Sequence, residues 1–153
     1  MSELITPEQR RQLRKNGAPD KHDLDHYPVV KLHIPVYRCV MLLTELDPKQ
    51  SMRGYGLFDS SNGHPDINYI HIRSIQEHSE GLMWQLIQDT DFVARYPLSV
   101  YLCAAQRNRR YTEDEALLQA AADEICRIKA ELAAEAAEPE TALVPEQTTP
   151  APA

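Results

Sequence analysis

Five acids, Glu45, Asp47, Asp59, Asp66 and Asp89, together with His64, are the side chains whose types and spacing could do chemistry. Paired carboxylates act as general acid and base only when they are held within several ångströms of each other. The densest polar set lies in GYGLFDSSNGHPDINYIHI, residues 54–72, which reads as a strand, a turn and a second strand. Asp59 and Asn62 suit hydrogen bonds to their own loop backbone, and Asp47-Pro48 is a standard turn opening. In an antiparallel meander the Glu45–Asp47 corner and the Asp59 turn fall at opposite ends of the second and third strands, which spreads the carboxylates. Turn and edge structure is therefore the expected role. The catalytic alternative uses Asp59, Asp66 and His64, with Glu45 if the geometry allows.

The other candidate constellations are weaker. HDLDH, residues 22–26, has the i, i+4 histidine spacing that binds metal on a helix, but it lies in a connector with no helical apolar stripe and stops at Pro28. His33 and His71 fall mid-strand and are expected to face each other across a sheet. Two histidines without a suitably spaced cysteine make no zinc site, so neither a metal nor a cofactor is expected. Arg107, Arg109 and Arg110 beside Tyr111, with Arg10, Arg11, Arg14 and Lys15, could line a phosphate surface. Few aromatics are free to stack on bases, and a basic first helix can instead neutralise an acidic last one. No P-loop, GxSxG elbow or glycine-rich dinucleotide turn occurs, and only 5 glycines are present.

These residues need elements to position them. TPEQRRQLRKNG predicts a first helix with Thr6 as N-cap, Pro7 at its first position, Gln9 completing a capping box and Asn16-Gly17 as the stop. YPVVKLHIP predicts a short strand at or near an edge, bounded by Pro28 and Pro35. YRCVMLLTEL is apolar on both faces and predicts a strand covered on both sides. GYGLFD and INYIHI are the third and fourth strands. RSIQEHSEG predicts a single helical turn ending at Gly81, and LMWQLIQD a fifth strand with Trp84 as a core filler. Pro97 opens a helix in which Leu98, Tyr101, Leu102 and Ala105 recur at helical spacing. A final helix is expected from a Thr112–Glu115 capping box to about Ala137, with Leu117, Ala121, Ile125, Ile128 and Leu132 as its stripe. The fold expected is α+β: an antiparallel meander of four to five strands packed with the N-terminal and C-terminal helices. One domain over 1–137 is expected, then a disordered proline-rich tail over 138–153.

The chain has 153 residues and a net charge of −7, but the charge is uneven. Residues 112–153 hold ten acids and two bases, so residues 1–111 carry a balance of +1. That excludes a whole-body DNA mimic and leaves an acidic helix able to meet a basic partner. No run approaches the roughly 18 to 20 apolar residues of a membrane helix, and the N-terminus lacks the apolar stretch of a signal peptide. A cytoplasmic protein without membrane contact is expected. Cys39, Cys103 and Cys126 form no CxxC pair and are expected to be buried free thiols.

Four stretches carry a family likeness: LITPEQR at 4–10, PVVKLHIP with LLTELDP at 28–48, YGLFDSSNGHPDINYIHI at 55–72 and RYPLSVYLCAAQ at 95–106. Over roughly residues 4–110 the chain resembles the domain of unknown function 2958 (DUF2958) family, small bacterial proteins often carried by plasmids and integrative elements. It departs at IQDT, where only Asp89 fits the family's late acidic step, and at His64, where an apolar or aromatic residue is expected. The family supplies no catalytic residues to transfer. What the resemblance implies is the accessory cargo of mobile DNA. The function expected is then non-enzymatic: binding of a host or element-encoded protein, with a host defence or maintenance system as the target. Glu113, Asp114 and Glu115, with Asp59 and Asp66, are the expected contact surfaces. A small enzyme or ligand-binding domain using the 59–66 loop is the first alternative, and nucleic-acid binding through the two arginine groups is the second.

Overall fold

The computed structural model describes residues 4–50, 52–79 and 84–137. Helix α1 (Pro7–Asn16) begins with the expected capping box, Thr6 accepting from the Gln9 N–H while the Gln9 side chain accepts from the Thr6 N–H. Strands β1 (Val30–Ile34), β2 (Cys39–Leu46), β3 (Arg53–Asp59) and β4 (Asp66–His71) follow, with a 3₁₀ turn (Pro35–Tyr37) between the first two. Helix α2 (Ile72–Ser79), strand β5 (Ile87–Gln88), helix α3 (Leu98–Asn108) and helix α4 (Glu115–Ala137) complete the order. The sheet is antiparallel throughout in the order β4-β3-β2-β1-β5. It is the expected α+β meander, with the fifth strand folded back beside the first.

Both faces of the sheet are covered. Ile5 and Leu13 of the α1 region and Ile72 at the start of α2 pack against Val30, Leu32, Met41, Leu43 and Leu46. On the other face Leu42 and Leu57 meet Leu98, Tyr101 and Ala105 of α3, and Leu118 and Ala121 of α4. Strand β2 is thus buried on both sides, as its unbroken apolar run requires. The N-terminal and C-terminal helices lie on opposite faces.

Several local expectations are corrected. Strand β5 has two residues instead of eight, and Trp84 is only partly buried, edge-on to Tyr37 at 5.9 Å between centroids. Helix α2 is longer than one turn because Ile72, read as strand, opens it, and Gly81 lies outside the described residues. His33 and His71 are not cross-strand neighbours, since β3 and β2 separate their strands. Asp114 caps α4 by accepting from the Leu117 N–H, and Thr112 accepts from Asp114 instead of forming the box with Glu115. The packed stripe of α4 runs through Leu118, Ala121 and Ile125, while Leu117, Ile128 and Leu132 are exposed. Of the three thiols only Cys39 is buried, its pKa pushed up to about 11 by burial and by nearby Asp59. Cys126 is exposed. The 138–153 segment lies outside the described residues.

One irregularity sets the site. The β2–β3 register shifts between Leu43 and Glu45, a β-bulge at Thr44. Strict alternation would put Glu45 on the α1 face with Leu43. The extra residue instead turns Leu46 into the α1-side core and Glu45 to the α3 face, opposite Tyr55. The bulge is held on both sides. Asn16, buried at the end of α1, donates to the Thr44 carbonyl at 2.9 Å, and the Thr44 hydroxyl donates to the Tyr55 carbonyl at 3.2 Å. A buried carbonyl freed by a bulge needs such a donor.

Candidate functional site

With Glu45 turned to the α3 face, a polar row crosses three strands. Glu45 of β2 pairs with Tyr55 of β3, which pairs with Tyr69 of β4. The two rings pack at 5.2 Å between centroids, tilted by 58°. Over this row lies a cleft of about 400 Å³, closed on one side by connector residues 22–26 and on another by Leu98, Ser99 and Leu102 of α3. A second hollow of about 240 Å³ shares His22, Glu45, Tyr55 and Tyr69 and reaches Gly17, Asp47 and Pro48. Glu45 stands at the junction of the two.

The connector is fastened in place. Asp25 accepts from the Ser99 N–H at 3.0 Å and from the Ser99 hydroxyl. It therefore supplies the N-terminal capping of α3 that Pro97, the N-cap residue, cannot. The Leu98 N–H donates to the His26 carbonyl at 2.9 Å, and a His26 ring nitrogen bonds the Lys21 carbonyl at 2.7 Å. The HDLDH segment is thus a strap over the cleft, not a helical metal motif. No group of three or more His, Cys, Asp or Glu side chains that could hold a metal ion occurs among the described residues.

Glu45 is 8% exposed, and its carboxylate has neither a hydrogen bond nor an ion pair among the described residues. Burial raises its pKa above the usual carboxylate range, against the pull of His26 and His22. Burial and the Glu45 charge likewise push the Tyr55 phenol up, which keeps it a hydrogen-bond donor. Arg53 lies outside the cleft with its guanidinium carbon 4.0 Å from the centroid of Tyr69 and its Nη1 3.4 Å from Asp47.

The other expected site residues are not brought to Glu45. Asp59, buried, accepts from the Ser61 N–H at 2.8 Å and the Tyr111 N–H at 2.7 Å. Asp66 is exposed and accepts from the Ile67 N–H at 2.8 Å; His64 is exposed beside Asn62. Asp47 accepts from the Lys49 and Gln50 N–H groups, which hold its carboxyl below the usual range. Asp89 accepts from the Asp91 N–H at 3.0 Å and pairs with Lys31 at 3.2 Å, and these outweigh burial and lower its pKa.

At the start of α4, Glu113 pairs with Lys31 and accepts from the Tyr111 hydroxyl at 2.8 Å, while Glu115 pairs with Arg95 and accepts from the Tyr96 hydroxyl at 2.6 Å. Glu113 and Glu115 thus hold α4 to the body, while Asp114 caps the helix locally. Arg10, Arg11, Arg14 and Lys15 ride on α1, Arg107 lies in the last turn of α3, and Arg109 and Arg110 follow it. The two basic groups therefore belong to opposite faces of the sheet.

A family model described as "Protein of unknown function (DUF2958)" matches residues 4–111. The chain belongs to that family. The DUF2958 span holds the whole sheet, α1 to α3 and every residue of the cleft, and it ends before α4 begins at Glu115. No curated protein and no solved structure matches the chain. Among the described residues no helix is long and apolar enough to cross a membrane.

Tyr55, Tyr69 and the strap were missed as site residues. One signal for the bulge was present: Thr44 and Glu45 are two polar residues in succession between Leu43 and Leu46, both core positions, which breaks the alternation.

Replacing Glu45 with glutamine tests the site without a ligand. Because its folded pKa is raised, ionised Glu45 destabilises the fold. That penalty is complete above the folded pKa and absent below the unfolded one. Glu45→Gln is expected to raise the melting temperature at neutral pH by a few degrees and to leave it unchanged near about pH 3. An equal shift at both pH values would remove ionisation of Glu45 as its cause.

Proposed function

We propose that the protein is a non-enzymatic binding protein and that the cleft over Glu45 is where it contacts a partner protein. One observation carries this reading. Glu45 is a buried residue whose carboxylate opens onto the cleft and has no partner among the described residues, whereas Asp59, Asp89, Glu113 and Glu115 are each matched by donors or cations of the chain itself. A partly desolvated carboxylate without a partner costs stability, and a fold retains one where it is used. The likeness to proteins carried by plasmids and integrative elements supports an accessory role there, with a host or element-encoded protein as partner.

The catalytic reading of Asp59, Asp66 and His64 has less support, because each carboxylate oxygen of buried Asp59 already accepts from a backbone N–H. Nucleic-acid binding has less support for a geometric reason: the basic groups of α1 and of residues 107–110 do not share a face.

The test is affinity capture from a nuclease-treated lysate, with the full chain and its Glu45→Gln variant as parallel baits. A stoichiometric protein retained by the first and lost by the second is expected. A partner retained equally by both baits would remove the cleft from the interface, and capture that disappears with nuclease would replace a protein partner by nucleic acid.

A further inference from the structure

We infer that the occupant of the cleft is an arginine side chain of the partner protein. This rests on the binding reading above and adds the chemistry of the contact. Charge gives the first argument. Glu45, Asp23 and Asp25 line one hollow beside His22 and His26, and Asp47 borders the other, while among the described residues no lysine or arginine lines either. Asp25 and Asp47 already accept from the chain's own N–H groups and Asp23 lies 3.2 Å from His22 Nδ1, which leaves Glu45 as the lining carboxylate without a partner among the described residues. The complement is a cation.

The walls then choose between cations. Tyr55 and Tyr69 present two tilted aromatic rings beside the carboxylate. A guanidinium is flat, stacks on a tyrosine ring and meets a carboxylate with two parallel N–H donors. It is also weakly hydrated, so partial burial costs it less than it costs an ammonium group. Lysine offers only a compact, strongly hydrated charge. The chain already uses this chemistry once on its own account: Arg53 lies over Tyr69 while pairing with Asp47. An incoming arginine would repeat that pattern with Tyr55 and Glu45. The cleft volume of about 400 Å³ lies within the range of sites that enclose a small ligand or a long side chain.

Three peptides test this by NMR titration of the ¹⁵N-labelled full chain: Ac-Gly-Arg-Gly-NH₂, its lysine analogue and its citrulline analogue, which keeps the arginine shape without the charge. The arginine peptide is expected to shift the amides of Glu45, Tyr55 and Tyr69 saturably, with citrulline binding about tenfold or more weakly. Glu45→Gln should remove that preference while leaving the spectrum folded. Equal binding of arginine and citrulline, or shifts confined to other regions, would overturn the proposal. Equal binding of lysine would overturn the guanidinium assignment. A partner that depends on Glu45 in the capture experiment, with no peptide binding at the cleft, overturns the arginine and leaves the binding reading intact. Peptide binding at the cleft with an empty full-chain bait does the reverse.

Discussion

Replacing Gly56 with alanine is expected to lower the unfolding free energy by about 3 kcal/mol or more, the range reserved for changes that force backbone apart. A Cβ at Gly56 would stand 1.8 Å from the Leu42 carbonyl oxygen and 2.9 Å from its carbon. Both are backbone atoms of a strand buried on two faces, so no side-chain rotation relieves the overlap. Gly56 pairs with Leu43, the last residue before the bulge. Relief requires β2 and β3 to separate where Asn16 and Thr44 hold the bulge, so the aim of Glu45 is expected to suffer along with stability. Urea unfolding followed by circular dichroism gives the first effect, and the arginine-peptide titration gives the second. Gly63→Ala is the control. Its Cβ meets nothing within 4 Å, although its φ of +85° makes the change mildly unfavourable, about 1 kcal/mol. A Gly56→Ala midpoint no lower than that of the control would show that the sheet accommodates a methyl group there.

The same bulge explains what was legible in the sequence. Helix α1, the four main strands and α3 follow from capping residues, prolines and periodicity, because each signal acts within a few residues of the element it shapes. The row Glu45–Tyr55–Tyr69 needs two cross-strand registers and a one-residue shift, and a shift of one reverses the face of everything after it. Glu45 could be chosen as an acid, but not as a buried acid without a partner among the described residues. Similarly, α4 contains both Leu117 and Leu118, and composition cannot say which faces inward. Contact with α3 selects Leu118. Beyond Ile125 the helix is exposed among the described residues, and its Arg127 pairs with Glu124 and Glu131 of the same helix. The acids at the start of α4 looked available because the cations that hold them, Lys31 and Arg95, lie far back in the chain.

Asp59→Ala is the second large effect expected, a loss of about 3 kcal/mol, from two orphaned N–H groups and a vacated buried position. Asp59 closes an Asx turn to Ser61, whose positive φ of 65° is an unfavourable backbone state that the turn helps to hold. It also reaches across 52 residues to the Tyr111 N–H, tying the tip of the β3–β4 hairpin to the segment between α3 and α4. The polar hairpin loop is therefore architecture at Asp59, and the substitution should be felt in the α3–α4 connection. Asp59→Asn is expected to recover about half of the loss, since the amide keeps the size and one acceptor but turns an NH₂ toward the other donor. Hydrogen exchange at Tyr111 should accelerate in both variants before that of β2 does. The cleft lies at the far end of β2 and β3, where Glu45 pairs with Tyr55 while Asp59 pairs with Val40. Arginine-peptide affinity should consequently survive Asp59→Asn under conditions where the protein remains folded. A variant of normal stability that no longer binds would return Asp59 to the functional site and break the separation between the two ends of the hairpin.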